Sequence, residues 1–239
     1  MDPQIISSYA GGKHSFDLTT TIERLEKDKA YKDLSSIIII PALGTVPTKA
    51  VASWWNIIFP PNQKVAKMFA MGMEVGNAYT DTIQAILNHS DLSKWKYIIT
   101  IEHDNVIPPD GVLKLLQKME DHPEYAAISG LYFTKGENGQ PQIWGNPKEF
   151  PMNFKPQPPV PGELVECNGI GMGFSAWRLD IFKDPKLEKP WFKTTASQQE
   201  GVATQDLYFW THARKRGYRC AVDCSVLVGH YSIEEDIVW

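Results

Sequence analysis

Tyr97-Ile-Ile-Thr-Ile-Glu-His-Asp104 is the stretch on which the reading of this chain turns. It opens with aromatic and β-branched residues, the types that fit a pleated strand. A continuous run of this kind reads as a strand buried on both faces, as in a parallel sheet. Glu102 and Asp104 follow, one on each side of His103. Alternate residues of an extended segment point the same way, so the two carboxylates face one pocket. Hard oxygen ligands of this kind suit a divalent cation that must keep positions open for substrate oxygens. The plain alternative is a polar turn after a strand, and spacing alone leaves the two readings level.

Working outward, Ser36-Ile-Ile-Ile-Ile-Pro41 is a second buried run, closed by proline, and residues 64–71 form another strand. Helices are expected over 49–58 and 74–87, the latter with Val75, Ala78, Ile83 and Ile86 inward. Downstream, Asp110 is placed to cap a helix whose Val112, Leu115, Leu116 and Met119 repeat at helical spacing. Residues 126–133 read as a strand. Residues 134–166 are rich in proline and glycine and read as long loops with at most short strands. Asn168-Gly-Ile-Gly-Met-Gly-Phe-Ser175 leads into an expected helix over 176–182. A further helix over 204–216 is capped by Thr204 and stopped at Gly217. A final strand over 221–228 ends at Gly229 and His230. Residues 1–35 form a polar extension, in which Ile22 and Leu25 mark one short helix. Strands alternating with helices indicate an α/β fold with a layered sheet and right-handed crossovers. Ligands of such sheets bind outside the carboxyl ends of the strands, which is where Glu102 and Asp104 stand.

The 239 residues suit one α/β domain, and 43% hydrophobic with 22% charged residues is ordinary for a soluble globular chain. A net charge of −4 argues against a strong nonspecific grip on nucleic acid. Cys167, Cys220 and Cys224 show no metal-binding pair spacing, and their odd number suits a reducing compartment. The N-terminal stretch lacks a charged start followed by an apolar core, so no secretory signal is expected and a cytoplasmic location is. The strongest apolar run, around Ile37 to Ile40, is too short to span a bilayer.

Other residues carry chemistry only in company. His230 is a metal ligand if the sheet brings it to Asp104, and otherwise a structural histidine. Asp206 lies in the first turn of a helix, where acidic residues complement the dipole; its functional reading is a general base. The glycines after Asn168 match neither a dinucleotide fingerprint nor a phosphate loop, so they offer at most a backbone bed for a sugar or phosphate. Arg214, Lys215, Arg216 and Arg219 read as a solvated cluster at a helix end, or as a contact for an anionic acceptor.

In order, these segments resemble the GT-A glycosyltransferases, particularly the family 2-like enzymes of bacteria and phages. The match runs from Ser36 to Tyr231. Ser36-Ile-Ile-Ile-Ile-Pro-Ala42 resembles the first nucleotide-binding strand, and Ile99-Thr-Ile-Glu-His-Asp104 the strand with the DxD motif. Cys167 to Ser175 resembles the glycine-rich acceptor-side segment, and Pro190-Trp-Phe-Lys193 the aromatic segment. Thr204-Gln-Asp-Leu-Tyr-Phe209 with Arg216-Gly-Tyr218 resembles the acidic helix and its end. Val222 to His230 resembles the closing strand with its metal histidine. Glu102 stands where the family usually carries aspartate, and Gln205 where many relatives carry glutamate.

The resemblance implies a GT-A, Rossmann-like fold with a mixed, mostly parallel central sheet flanked by helices in one domain over 36–239. Within it, 36–133 would be the nucleotide-sugar half and 134–239 the acceptor half. It implies Asp104 and His230 as ligands of Mn2+ or Mg2+, and Glu102 at the ribose or the metal. Pro41, Ala42, Leu43, His103, Asn168 and Gly169 would line the nucleotide-sugar site, and Asp206 would be the base. The activity implied is inverting transfer from a UDP-sugar to a hydroxyl of a glycan, a protein, a lipid-linked sugar or a modified nucleic acid. Two alternatives stand beside it. A nucleotidyltransferase shares the acidic ligands, although residues 41–48 make a poor phosphate loop. A non-catalytic sugar- or nucleotide-binding module is the other.

Overall fold

The structure is a computed structural model that describes residues 4–7, 32–197 and 201–239. Its elements begin with β1 (Gln4–Ser7), β2 (Ser36–Ala42), α1 (Thr48–Trp55), β3 (Val65–Met71) and α2 (Val75–Asn88). Next come β4 (Tyr97–Ile101), β5 (Asn105–Val106), α3 (Gly111–Asp121), β6 (Tyr125–Leu131), β7 (Ile143–Trp144) and β8 (Leu164–Cys167). Then follow β9 (Gly169–Ile170), β10 (Phe174–Arg178), β11 (Thr195–Ser197), β12 (Gly201–Ala203) and α4 (Gln205–Arg214). The chain closes with β13 (Arg219–Leu227), β14 (Gly229–Ser232) and β15 (Ile237–Val238).

An eight-stranded sheet in the order β1-β3-β2-β4-β10-β6-β13-β8 organises the molecule. β3, β2, β4, β6 and β13 point one way; β1, β10 and β8 run against them. The sheet is therefore mixed and mostly parallel, and helices cover both faces. The isoleucine run of β2 is divided between them. Ile37 and Ile39 meet Tyr79, Ile83 and Ile86 of α2 on one side. Ile38 and Ile40 meet Ala50 and Trp54 of α1 on the other, together with Leu115, Leu116 and Met119 of α3. A strand sandwiched in this way leaves no polar face, which is why its sequence shows no alternation.

Several expectations are corrected. The helix foreseen over 176–182 is β10 instead, inserted antiparallel between β4 and β6 and followed by a 3-10 turn at Leu179–Lys183. Phe174 and Ala176 face one core while Trp177 faces the other, so apolar residues on both sides hide the strand period. The closing strand does not end at His230. β13 stops at Leu227, and β14 carries His230 into a small three-stranded sheet with β5 and β15. Thr204 and Asp110 occupy helix N-cap positions without side-chain capping bonds. Asp110 pairs instead with Lys114 at 2.7 Å. Gly217 ends the last helix in the left-handed region, at φ +84°.

In the extension, Gln4–Ser7 pairs antiparallel with β3 and adds an edge strand. The helix expected around Ile22 and Leu25 lies outside the described residues. Among the described residues, no helix is long and apolar enough to cross a membrane.

Candidate functional site

The site forms where β4 gives out. After Ile101 the backbone turns, with the Glu102 amide donating to the Gly173 carbonyl at 2.9 Å and the Asn105 amide to the Glu102 carbonyl at 3.1 Å. That turn directs Glu102 and Asp104 to the carboxyl edge of the sheet. β14 then pairs with β5, setting His230 opposite Asn105. The Tyr231 amide donates to the Asp104 carbonyl at 2.8 Å, which locks the two distant segments together.

As a result His230 Nε2 lies 3.4 Å from Asp104 Oδ2. The opposite ring nitrogen, Nδ1, is 2.8 Å from the Phe133 carbonyl. A carbonyl only accepts, so Nδ1 carries a proton. In the neutral ring Nε2 then presents a lone pair to the carboxylate; in the charged ring it donates to it. Fixing one imidazole nitrogen on a carbonyl is how proteins orient a metal-binding histidine. Lys135 donates to the same Asp104 Oδ2 at 2.6 Å. Burial pushes the Asp104 carboxyl upward, but its contacts with His230 and Lys135 outweigh that and hold it well below the usual range.

Glu102 has the opposite environment. Burial, then the charges of Asp104 and Asp206, push its carboxyl up to about 8, so it is largely protonated at neutral pH. Asp206, from the first turn of α4, is also buried. Burial raises it, against the lowering effect of hydrogen bonds from the Thr204 hydroxyl and the Leu207 amide. Both of those bonds fall on Oδ1. Tyr79, from α2, is buried beside these acids, and its hydroxyl has no hydrogen-bond partner among the described residues. The charges of Glu102, Asp206 and Asp104 all reinforce the upward push that burial gives its phenol.

Tyr132 completes the wall. Its hydroxyl accepts from the Gly173 amide at 2.9 Å, and its ring meets His230 edge-on with centroids 5.9 Å apart. The glycines of the Asn168–Ser175 segment make this possible. A Cβ at Gly171 would stand 2.0 Å from the Tyr132 hydroxyl, and one at Gly173 would stand 2.6 Å from its ring. The segment is a bed for Tyr132. Asn168 itself is buried, with its amide nitrogen donating to the Asn153 carbonyl at 2.9 Å. Gly169 packs under Leu207 and Phe154. Pro41 and Ala42 are buried at the carboxyl end of β2, beside β4, and Leu43 is exposed there. His103 is half-buried in the turn between the two acids. Of the basic cluster, Arg219 holds Glu166 at 2.6 Å and Arg214 lies 3.9 Å from the same carboxylate, while Lys215 and Arg216 are exposed.

The structure thus joins Glu102, Asp104, Asp206 and His230, and adds Tyr79, Tyr132 and Lys135, which sequence reasoning missed. Lys135 carried a signal, since it follows β6 as Glu102 follows β4. Tyr79 carried none, sitting inside an amphipathic helix. Among the described residues, no group of three or more His, Cys, Asp or Glu is placed to hold a metal ion. Asp104 Oδ2 and His230 Nε2, 3.4 Å apart, are the pair that would offer a cation one carboxylate oxygen and one imidazole nitrogen.

No protein-family model matches the chain, and no curated protein matches it. Among the solved structures that do match is the crystal structure of A197 from STIV, with a TM-score of 0.60 and 14% sequence identity. The match covers 86% of this chain and 93% of that one. A likeness at this identity concerns the fold.

Proposed function

We propose that this chain is a glycosyltransferase that moves a sugar from a UDP-sugar to an acceptor hydroxyl with inversion. The observation that carries the reading is the meeting of Asp104 and His230, with Nε2 3.4 Å from Oδ2, beside the buried Asp206 at the carboxyl edge of the sheet. Chain-distant carboxylates and a carbonyl-oriented histidine gathered at one sheet edge suit the handling of a diphosphate and a proton.

Each residue has a task in this reading. Asp104 and His230 would hold a divalent cation, which neutralises charge on the departing diphosphate. Glu102, beside them, would meet a ribose hydroxyl or the cation itself. Asp206 accepts the acceptor's proton as that hydroxyl attacks the anomeric carbon; its raised proton affinity suits a base. With Oδ1 held by Thr204 and Leu207, Oδ2 is the oxygen that takes the proton.

Asp206→Asn is expected to reduce transfer about 10²–10³-fold with UDP affinity unchanged. Near-full activity in that variant would discard the base assignment. Product analysis should find free UDP rather than pyrophosphate, which separates sugar transfer from nucleotidyl transfer. A protein that binds UDP neither with nor without Mn2+ would overturn the reading as a whole.

A further inference from the structure

We propose that Lys135 is a resident counter-cation for Asp104, which releases the carboxylate to a divalent cation when a diphosphate takes over its ammonium. The inference rests on the donor-site reading above and adds a residue and an order of events to it. Asp104 is a charged group with a side chain only 12% exposed, and such a charge requires a partner. Lys135 supplies one at 2.6 Å, on Oδ2. That is the oxygen His230 Nε2 also faces, and so the oxygen a shared cation would need. An ammonium and a divalent ion repel one another, so each weakens the other's hold on that atom. A cation arriving alone therefore competes with Lys135 for the carboxylate.

The position of Lys135 gives it another option. Its side chain is 34% exposed, and it stands in the turn after β6, where the Gln140 amide donates to Thr134 Oγ1 and the Gly139 amide to the Gly136 carbonyl. A flexible four-carbon stem on a surface turn reaches outward as readily as inward. A diphosphate beside Asp104 offers it phosphate oxygens. Lys135 then couples the two ligands: each makes the other's binding easier, as reciprocity demands.

The experiment uses the full chain as wild type, Lys135→Ala and Lys135→Arg. Mn2+ binding without nucleotide is followed by the electron paramagnetic resonance signal of the free ion. UDP binding in EDTA is followed by calorimetry. Lys135→Ala is expected to bind Mn2+ alone at least about tenfold more tightly than wild type, and UDP alone at least about tenfold more weakly. Lys135→Arg, which keeps the charge, should stay near wild type in both. Equal Mn2+ affinity in wild type and Lys135→Ala overturns the proposal. So does unchanged UDP affinity, or no UDP binding by wild type in EDTA. If Mn2+ with UDP still binds in those cases, the donor-site reading survives and only the role of Lys135 falls. If no protein binds Mn2+ even with UDP present, the donor-site reading fails and this inference fails with it.

Discussion

At the scale of single residues, the site depends on two acids of one turn that titrate in opposite directions. Asp104 is held low by His230 and Lys135, whereas burial and two neighbouring negative charges push Glu102 up to about 8. Glu102 has consequences for stability. Its folded-state pKa lies above the unfolded value, so the folded form binds its proton more tightly. Its contribution is fully present below the unfolded value of 4.5 and is lost as pH rises through about 8. Thermal or urea unfolding should therefore show a loss of roughly 3 kcal/mol between pH 4.5 and pH 7, which Glu102→Gln removes. A wild-type slope that survives in Glu102→Gln would assign the effect to another group. Asp104 acts in reverse: its stabilisation is present above the ordinary carboxylate range and disappears only in strong acid. Both acids were legible as chemistry from Glu102-His-Asp104. Their opposite protonation was not, because it depends on Asp206 and Lys135, which arrive from remote segments.

At the scale of elements, the features that place the site were the ones hardest to read. β10 looked like a helix because Phe174, Ala176 and Trp177 supply apolar contacts to both faces. Trp177 stacks on Trp210 of α4 with centroids 5.3 Å apart, and also meets Phe209 and Phe192. Trp177→Ala should cost about 3–5 kcal/mol in chemical denaturation, through the cavity it leaves. A loss under ~1 kcal/mol would mean that this cluster does not anchor α4. The glycines before β10 make a second test. Gly171→Ala drives a methyl into the Tyr132 hydroxyl, 2.0 Å away. It should cost about 1–3 kcal/mol and weaken nucleotide binding, since Tyr132 supports His230. Full stability and binding in Gly171→Ala would show that Tyr132 relaxes freely. The glycines were visible in the sequence, but their partner, Tyr132, lies just past the end of β6, so their purpose was not.

At the scale of the whole molecule, the site exists because the chain's last segment returns to its middle. β13 ends at Leu227, and β14 then crosses to β5, bringing His230 beside Asp104. Lys49 of α1 clasps Asp236, which also accepts from the Tyr231 hydroxyl at 2.7 Å. Ending the chain after Val228 should leave the eight-stranded sheet folded, because those strands are complete by Leu227. It should abolish Mn2+-dependent UDP binding. A truncated chain that folds and keeps that binding would remove His230 from the ligand set. Stripping divalent cations from the intact chain should likewise weaken UDP binding, and titration with Mn2+ should restore it.

The sequence by itself determined the α/β class, the buried strands β2 and β4, and the carboxyl-edge position of Glu102 and Asp104. Those are local matters: β-branched runs favour strands, and a polar triplet after a strand has one edge to stand on. Only the tertiary structure decided that β10 is a strand, that His230 belongs to a second sheet, that Lys135 pairs with Asp104, and that Tyr79 is buried near the acids. These outcomes depend on contacts between residues far apart in the chain. A side chain's partner there is set by sheet order and register, which no local pattern encodes.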